Sequence, residues 1–403
     1  PGLGGRLADS PARELAMLLL FFGLGVKAGV LPLHVWLPLA HPAAPVPASA
    51  VLSGAMIKAG LLGWLRLVPD THGAALPAWG ELCLVLGVSA AFFGVVVGLT
   101  QRNAKTVLAY SSISQMGLIT VAVGLAFLGA SAGRDALLPA LAYAMHHGLA
   151  KGALFLGVGV AAAAHGSTRQ RIACGIGLLI PALSLAGMPW TSGALAKALL
   201  KADAARAPDH WAVALDWLLP LAAVGTTLLM ARFLWLTWPR TNSASAGQCT
   251  GMWIGWLLLV AASAGAVFLW PWGSEVSMEK LLLPPEKLLA ALWPILVGAA
   301  VALLTVIART RGYRFAVPEI PAGDLLAWIA PAGAGLRRVC SETAAQFPRG
   351  AGTWQAARVS NTRPSNTSNA SSNKVEILLQ QSSVYGALIL ALVGLLFVLF
   401  ALT

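Results

Sequence analysis

The chain has 403 residues, of which 58% are hydrophobic and only 10% are charged, and its formal net charge is +12. A soluble domain carries about a quarter of its residues as charged side chains. This composition therefore excludes an ordinary soluble protein and favours a polytopic membrane protein. The positive charge is typical of the Lys and Arg that membrane proteins carry in cytoplasmic loops, and it does not indicate a nucleic-acid partner.

The four cysteines lie far apart in the sequence, at Cys83, Cys174, Cys249 and Cys340. No CxxC pair and no Cys/His cluster is present, although iron–sulfur, zinc and haem sites are built from such groups. We therefore predict that the chain has no metal site and no cofactor of its own.

Ten apolar stretches have the length of about 20 residues that a membrane-spanning helix needs. They lie approximately at 15–35, 46–68, 81–100, 105–128, 136–164, 172–190 with a continuation to 203, 211–238, 252–271, 288–308 and 384–402. The sequence thus predicts an all-α, polytopic transmembrane helix bundle. Residues 15–308 would form one transmembrane domain of nine spans, and 384–403 would add a last helix.

Two segments are predicted to lie outside the membrane, namely 1–14 and 309–383, and the latter contains a polar linker at 360–373. The loops after the odd-numbered spans are the more basic set, which places them and 309–383 in the cytoplasm. The chain begins with Pro1, and 1–14 has the character of a loop between spans rather than of a signal peptide. We therefore expect the sequence to be N-terminally incomplete.

Two of the predicted helices are broken. Pro32 and Pro38 bracket His34 at the end of the first span, and Gly187 with Pro189 interrupts the sixth. Broken helices are tolerated inside a bilayer where they are buried in protein or line a wet cavity.

Lysines stand within or beside these apolar stretches, at Lys27, Lys58, Lys151 and Lys197. An ionisable residue inside a membrane is expensive and marks an ion or proton path by default. The alternative for Lys197 is a side chain that reaches the membrane interface. No Asp or Glu lies deep in these spans, so a partner subunit or upstream sequence should supply the counter-charge that buried lysines need.

The fifth span carries the strongest polar pattern, AYAMHHGLAKG. His147 and Lys151 are four residues apart and share one helix face, with His146 about 100° away. A histidine exchanges protons near neutral pH, and desolvation brings a lysine toward that range, so the pair could store protons. The alternative is a structural histidine beside a lysine that snorkels to the interface. Ser112 and Gln115 in the fourth span fit either a proton path or hydrogen bonds that hold helices together.

Four segments resemble one known family. They are VKAGVLPLHVWLPLAHPAAPVPASAVLSGAMIKAG, QRNAKTVLAYSSISQMG, HHGLAKGALFLGVG and AGMPWTSGALAK. They resemble the antiporter-like, proton-translocating membrane subunits of respiratory complex I, Mrp-type Na+/H+ antiporters and group 4 hydrogenases. The amino-acid sequence of the first segment is most similar to the hydrogenase-4 and formate hydrogenlyase branch of this family. The resemblance covers roughly residues 15–200.

The resemblance implies roles for particular residues. Lys27 would be the lysine of the first broken helix, Lys58 the lysine on the next helix, and Lys197 the terminal lysine on the second broken helix. The implied proton path is Lys27, Lys58, His146, His147, Lys151 and Lys197, supported by His34, Ser112 and Gln115. Family members have about six further spans upstream, including one with a glutamate that pairs with the position of Lys27.

Three functions follow as hypotheses. The first is a proton-translocating, redox-inactive membrane subunit of a respiratory or hydrogenase-type complex in a bacterial inner membrane, whose partners are other membrane subunits, lipid and protons. The second is a subunit of a multisubunit cation/proton antiporter without a redox partner. Intramembrane carboxylates are scarce, and Na+ prefers oxygen ligands, so this hypothesis is weaker for Na+ than for protons. The third is a structural membrane anchor.

Overall fold

The computed structural model of the protein describes residues 13–66, 76–130, 136–164, 168–238, 250–268, 285–313 and 320–322. Within these ranges every regular element is a helix, which confirms the predicted all-α fold. The predicted loop 1–14, the segment 309–383 with its linker and the last span lie largely or wholly outside the described residues, so they stay predictions.

The first part of the chain is a set of short helices around a corner. They are α1 (Arg13–Ala28), α2 (Trp36–Ala43), α3 (Val46–Val51), a π-helical turn (Leu52–Met56) and α4 (Ile57–Leu65). The elements from Val46 to Leu65 run on as one helix of 20 residues. The corner between α1 and α2 contains a cis peptide bond at Leu31–Pro32.

Longer helices follow. They are α5 (Pro77–Thr100), α6 (Ala104–Leu128), α7 (Leu138–Ala163), α8 (Thr168–Ala186), α9 (Ser192–Ala204), α10 (Asp209–Thr237), α11 (Thr250–Gly265) and α12 (Pro285–Thr310). Helix α6 begins at an N-cap, since the Asn103 side chain accepts from the amides of Lys105 and Thr106. It ends at Gly129, whose φ of 74° is the left-handed conformation that a glycine C-cap provides.

Five helices of the described part are long and apolar enough to cross a membrane: Val46–Leu65, α5, α6, α10 and the Leu288–Thr310 part of α12. Helix α7 is as long but is not among them, because His146, His147 and Lys151 interrupt its apolar sequence. The chain is thus a multi-pass membrane protein.

Helix α6 lies at the centre of the bundle, with 94% of its most apolar stretch buried. Its closest neighbour is α5, and glycines on both helices let the backbones approach. A Cβ at Gly117 would lie 2.5 Å from the Gly87 carbonyl oxygen, and one at Gly94 would lie 2.6 Å from the Tyr110 carbonyl oxygen. Small residues at such interfaces are how membrane helices gain close packing.

Both predicted breaks are present. Helix α1 ends at Ala28, followed by Gly29 with a φ of 67°, and α8 ends at Ala186, followed by Gly187 with a φ of 94°. These are backbone conformations that glycine adopts at little cost. The π-helical turn is a third irregularity that the sequence did not reveal.

Candidate functional site

The first part of the site is the π-helical turn. Lys58 follows this turn and is 1% exposed. Its ammonium donates a hydrogen bond to the carbonyl of Ser53, which belongs to the turn itself. Turns of this kind occur frequently at functional sites because they re-aim backbone and side-chain groups. Here the turn supplies a main-chain acceptor to a buried cation.

A run of hydrogen bonds leads from this turn across α6 to α7. The Ser53 and Ser112 hydroxyls are 2.9 Å apart, and the Ser112 hydroxyl donates to the Leu108 carbonyl at 3.0 Å. Since the Ser112 proton goes to Leu108, Ser53 is the donor between the two serines. Lys151 Nζ donates to the same Leu108 carbonyl at 2.8 Å. Polar contacts thereby lead from Lys58, which bonds the main-chain carbonyl of Ser53, through the two serine hydroxyls and the Leu108 carbonyl to Lys151.

The two histidines of α7 lie beside this route. Both are buried, and His147 is close enough to Lys58, Lys151 and His146 to interact electrostatically with them. Among the described residues neither ring nitrogen of His147 has a hydrogen-bond partner. A Cβ at Gly148 would lie 2.7 Å from the Gly54 carbonyl oxygen, so this glycine lets α7 pack directly on the π-helical turn.

His146 faces the second broken helix. Its Nδ1 is 2.9 Å from the Ser192 hydroxyl and 3.4 Å from the Ser184 hydroxyl. A side chain at Gly193 would overlap the Ser184 carbonyl and crowd the imidazole of His146. The absence of a side chain at Gly193 is therefore what brings α8, α9 and α7 together here.

Lys197 hydrogen-bonds the backbone at the second break. It is partly buried, and its Nζ donates to the Ala186 carbonyl, the last of α8, at 2.6 Å. His146 is within electrostatic reach of both Lys197 and Lys58. The lysines of the π-helical turn, of α7 and of the second break therefore belong to one row, which we call the lysine–histidine row and define as Lys58, Lys151, His147, His146 and Lys197.

Main-chain carbonyls, not carboxylates, accept from the ammonium groups of this row. The acceptors are the carbonyls of Ser53, Leu108 and Ala186. In the part of the chain that the structure describes, ion pairs occur elsewhere: Lys201–Asp216, Arg206–Asp203 and His210–Glu81. No group of three or more His, Cys, Asp or Glu residues that could hold a metal occurs there either. Within these described ranges, the lysines of the row are therefore paired with main-chain carbonyls and not with carboxylates.

Two predicted residues lie elsewhere. The Lys27 side chain is exposed in the last turn of α1. His34 is fully buried and packs edge-on against Phe93, with ring centroids 5.0 Å apart. Five of the nine predicted residues thus form the row and Ser112 lies on the route beside it, whereas Gln115 forms a separate chain of contacts.

Gln115 joins three helices. Tyr143 of α7 donates to its Oε1 at 3.0 Å, and its Nε2 donates to the Thr226 hydroxyl of α10 at 3.0 Å. Tyr143 also lies edge-on to His146, with centroids 6.2 Å apart. Sequence reasoning missed Tyr143 and Thr226, although Tyr143 precedes His146 by three residues and His147 by four, so one helix face could have indicated it.

His41 is a further residue that sequence reasoning missed. It is fully buried and stacks on Phe155, one turn beyond Lys151, with ring centroids 4.2 Å apart. Its neighbours in electrostatic reach are Lys151, Lys105 and Lys58. Lys105 in turn donates to the Ala44 carbonyl at 2.6 Å, next to the end of α2. The only signal for His41 was a polar residue between prolines in an otherwise apolar corner.

A multi-pass helix bundle with two broken helices and a largely buried lysine–histidine row defines a class, the polytopic membrane proteins that carry ionisable residues inside their helix bundle. The family within that class follows from sequence. Residues 5–219, or 215 of the 403, match the family described as NADH:quinone oxidoreductase/Mrp antiporter, TM. The chain belongs to this family, as the resemblance predicted, and the matched region contains the whole row.

Individual relatives agree with the family. The chain is 44% identical over 161 residues to hydrogenase-4 component B of Escherichia coli, a match that covers 38% of this chain and 24% of the relative. It is 31% identical over 274 residues to formate hydrogenlyase subunit 3 of the same organism, covering 60% and 45%. The chain thus matches less than half of the length of either relative.

Solved structures show the same fold. The Mrp complex from Dietzia superimposes with a TM-score of 0.62 at 24% identity, over 95% of this chain and 42% of that one. An archaeal membrane-bound sulfane sulfur reductase superimposes with a TM-score of 0.58 at 20% identity, over 93% of this chain and 70% of that one.

Proposed function

We propose that the chain is a proton-translocating membrane subunit of a respiratory or hydrogenase-type redox complex in a bacterial inner membrane. The observation that carries the proposal is the lysine–histidine row, in which three ammonium-bearing side chains and two imidazoles line up across the bundle. A proton path requires groups that gain and lose protons one after another. A purely structural membrane anchor does not require such groups.

The row would work by electrostatic coupling. When one group of the row takes up a proton, its charge disfavours protonation of its neighbours, so that protons move stepwise. The hydroxyls of Ser53 and Ser112 lie between Lys58 and Lys151, and each can donate and accept a hydrogen bond. Because both ammonium groups donate to main-chain carbonyls, proton transfer through these hydroxyls would require each lysine to exchange its carbonyl contact for a hydroxyl contact. His147 and His146 would continue the path to Lys197, which faces the second break.

Electron transfer would take place in other subunits. The chain would contribute no redox centre, and a change of charge elsewhere in the complex would start the movement of protons along the row. Hydrogenase-4 component B and formate hydrogenlyase subunit 3 are named for redox complexes, and they support this assignment. Other membrane subunits would accordingly be the partners of this chain.

Lys27 would need a counter-charge from outside the described residues. Its side chain is exposed on α1 together with Leu19, Phe22 and Val26. An ammonium beside an apolar, membrane-embedded face is costly unless another helix covers it. We propose that an upstream or partner helix with a carboxylate packs here, so that Lys27 controls release of the proton.

The second candidate is a cation/proton antiporter subunit without a redox partner. A relative at 36% identity over 202 residues is a putative antiporter subunit of Staphylococcus aureus. The same row could move protons in exchange for another cation. The described spans lack a carboxylate next to the row, which makes Na+ binding by this chain the weaker proposal.

The test is the variant Lys151→Ala in the intact complex, assayed in inverted membrane vesicles. Electron transfer would be measured from the rate of substrate oxidation and proton translocation from the quenching of a pH-sensitive dye. We expect proton translocation to fall at least tenfold, because removal of Lys151 interrupts the row. Lys201→Ala is the matched control, since Lys201 is an exposed lysine paired with Asp216 on the surface.

Unchanged proton translocation in Lys151→Ala would show that the assignment is wrong. A sodium-dependent pH change in vesicles without any redox substrate, lost in the same variant, would favour the antiporter instead.

A further inference from the structure

Three arginines meet at one end of the bundle, away from the lysine–histidine row. Arg102 follows α5, Arg232 lies near the end of α10, and Arg309 lies in the last turn of α12. We call Arg102, Arg232 and Arg309 the arginine cluster. The proposed proton path uses none of them.

The packing of the helices explains why they meet. Gly98 of α5 contacts Leu229 of α10, and Gly225 of α10 contacts Val95 of α5. The later residue of α5 therefore contacts the later residue of α10, and the earlier residue contacts the earlier one. The two helices thus run parallel and end on the same side of the bundle. Helix α12 packs against α10 through Gly298 and Thr227.

The cluster is held in place by hydrogen bonds. Nε and Nη2 of Arg232 both donate to the Gln101 carbonyl, at 3.2 and 2.9 Å. This fork fixes a partly buried guanidinium next to Arg102, and both Arg309 and Arg102 interact electrostatically with it. The Gln101 side chain donates to the Ile320 carbonyl at 2.8 Å, so the chain beyond α12 passes beside the same corner.

The arginine cluster places three positively charged side chains close together, and a bound anion would stabilise this arrangement. Within the described ranges, neither Arg232 nor Arg309 forms an ion pair with a carboxylate. Arginine guanidinium groups match the oxygens of a phosphate through bidentate hydrogen bonds. An excess of cytoplasmic Arg explains why basic residues lie at this end, but not why one guanidinium is partly buried between two others.

An apolar surface extends from the cluster along α12. Only 17% of the apolar stretch of α12 is buried, and exposed side chains precede Arg309 at Val301, Leu304 and Ile307. We propose that an anionic phospholipid binds here, with its phosphate on the arginine cluster and its acyl chains along the exposed apolar surface of α12. Basic pockets between transmembrane helices recognise anionic headgroups in this manner.

The experiment measures lipid retention by the full-length protein. Protein from vesicles of mixed phosphatidylcholine and phosphatidylglycerol would be transferred to detergent, and the bound lipid would be counted by native mass spectrometry. We expect wild type to retain phosphatidylglycerol in preference to phosphatidylcholine. Arg309→Gln should weaken this preference by roughly fivefold, the effect of one arginine near a membrane surface. Arg232→Gln should weaken it further, because it also releases the Gln101 carbonyl.

Lys201→Gln is the matched control, since it removes one positive charge from an exposed site and should leave the preference unchanged. If Arg309→Gln and Arg232→Gln both retain phosphatidylglycerol as wild type does, no such site exists. Inorganic phosphate that displaces the lipid at equal concentration would show that the cluster binds free phosphate and would overturn the proposal of a lipid. Arg309 is exposed, so its variant tests the proposal even if Arg232→Gln fails to fold.

Discussion

The two broken helices look alike in sequence and differ in structure. Each has a glycine with positive φ, a nearby proline and a lysine, with Lys27 at the first break and Lys197 at the second. Lys197 folds back and donates to the Ala186 carbonyl at the break. Lys27 is exposed, and a carbonyl close to the first break, that of Val26, accepts from the Trp36 indole at 2.8 Å instead.

The order of lysine and break explains the difference. Side chains on a helix lean toward its N-terminus. Lys197 lies after its break, in α9, and therefore leans back onto it. Lys27 lies before its break, at the end of α1, and therefore leans away. Here the lysine on the C-terminal side of its break reaches a freed carbonyl, whereas the lysine on the N-terminal side of its break is exposed.

The largest expected effect concerns the close packing at the second break. Gly193→Ala would place a methyl group on the Ser184 carbonyl and beside the His146 ring. Backbone cannot yield as a flexible side chain does, so we expect a loss of about 3 kcal/mol or more and failure of the protein to accumulate in the membrane. The measurement is the yield and thermal unfolding midpoint of the purified protein in detergent.

Gly23→Ala is the control on the first broken helix. Its Cβ would meet nothing within 4 Å, and alanine is a better helix former than glycine, so the unfolding midpoint should stay or rise. If both variants fold equally well, the two breaks do not differ in packing as described.

A smaller effect is expected at the two glycines with positive φ. Alanine at either position costs about 1–2 kcal/mol from the backbone conformation alone. At Gly187 the new Cβ would also lie 2.9 Å from Lys197 Cδ, whereas at Gly29 the nearest atom, on Leu37, is 3.5 Å away. Gly187→Ala should therefore lower the unfolding midpoint more than Gly29→Ala.

The same pair of variants has a functional readout. Gly187→Ala should displace Lys197 from the Ala186 carbonyl and lower proton translocation in vesicles, while Gly29→Ala should leave the lysine–histidine row in place. Equal translocation by the two variants, both folded, would argue against a role for the position of Lys197.

The sequence was sufficient to predict the class of fold, because an apolar composition and apolar stretches of membrane-spanning length leave few alternative folds. It was sufficient for both breaks as well, since Gly and Pro have local effects that do not depend on distant contacts. The pairing of His147 with Lys151 on α7 followed from helical periodicity, and both side chains are buried where α7 packs against α3, the π-helical turn and α6.

Contacts between distant segments could not be predicted in the same way. His146 meets Ser192 across 46 residues, and Gln115 meets Thr226 across 111. His41 stacks on a ring more than 100 residues away in the chain. Periodicity gives the face on which a side chain lies but not the partner that the fold brings to it. The π-helical turn was missed because VLSGAM contains no residue that requires that conformation.

The smallest expected effect concerns the indole that occupies the first break. Trp36→Phe keeps the aromatic ring but removes the donor to the Val26 carbonyl, and a single neutral hydrogen bond contributes about 0.5–1.5 kcal/mol. Trp190→Phe at the second break is the matched control, because Trp190 is 57% exposed and Lys197 already occupies the carbonyl there. Thermal unfolding in detergent should show a lower midpoint for Trp36→Phe than for Trp190→Phe. The reverse order would mean that the Trp36 hydrogen bond does not stabilise the first break. The contrast between an indole donor at one break and an ammonium donor at the other would then not explain how the two breaks are stabilised.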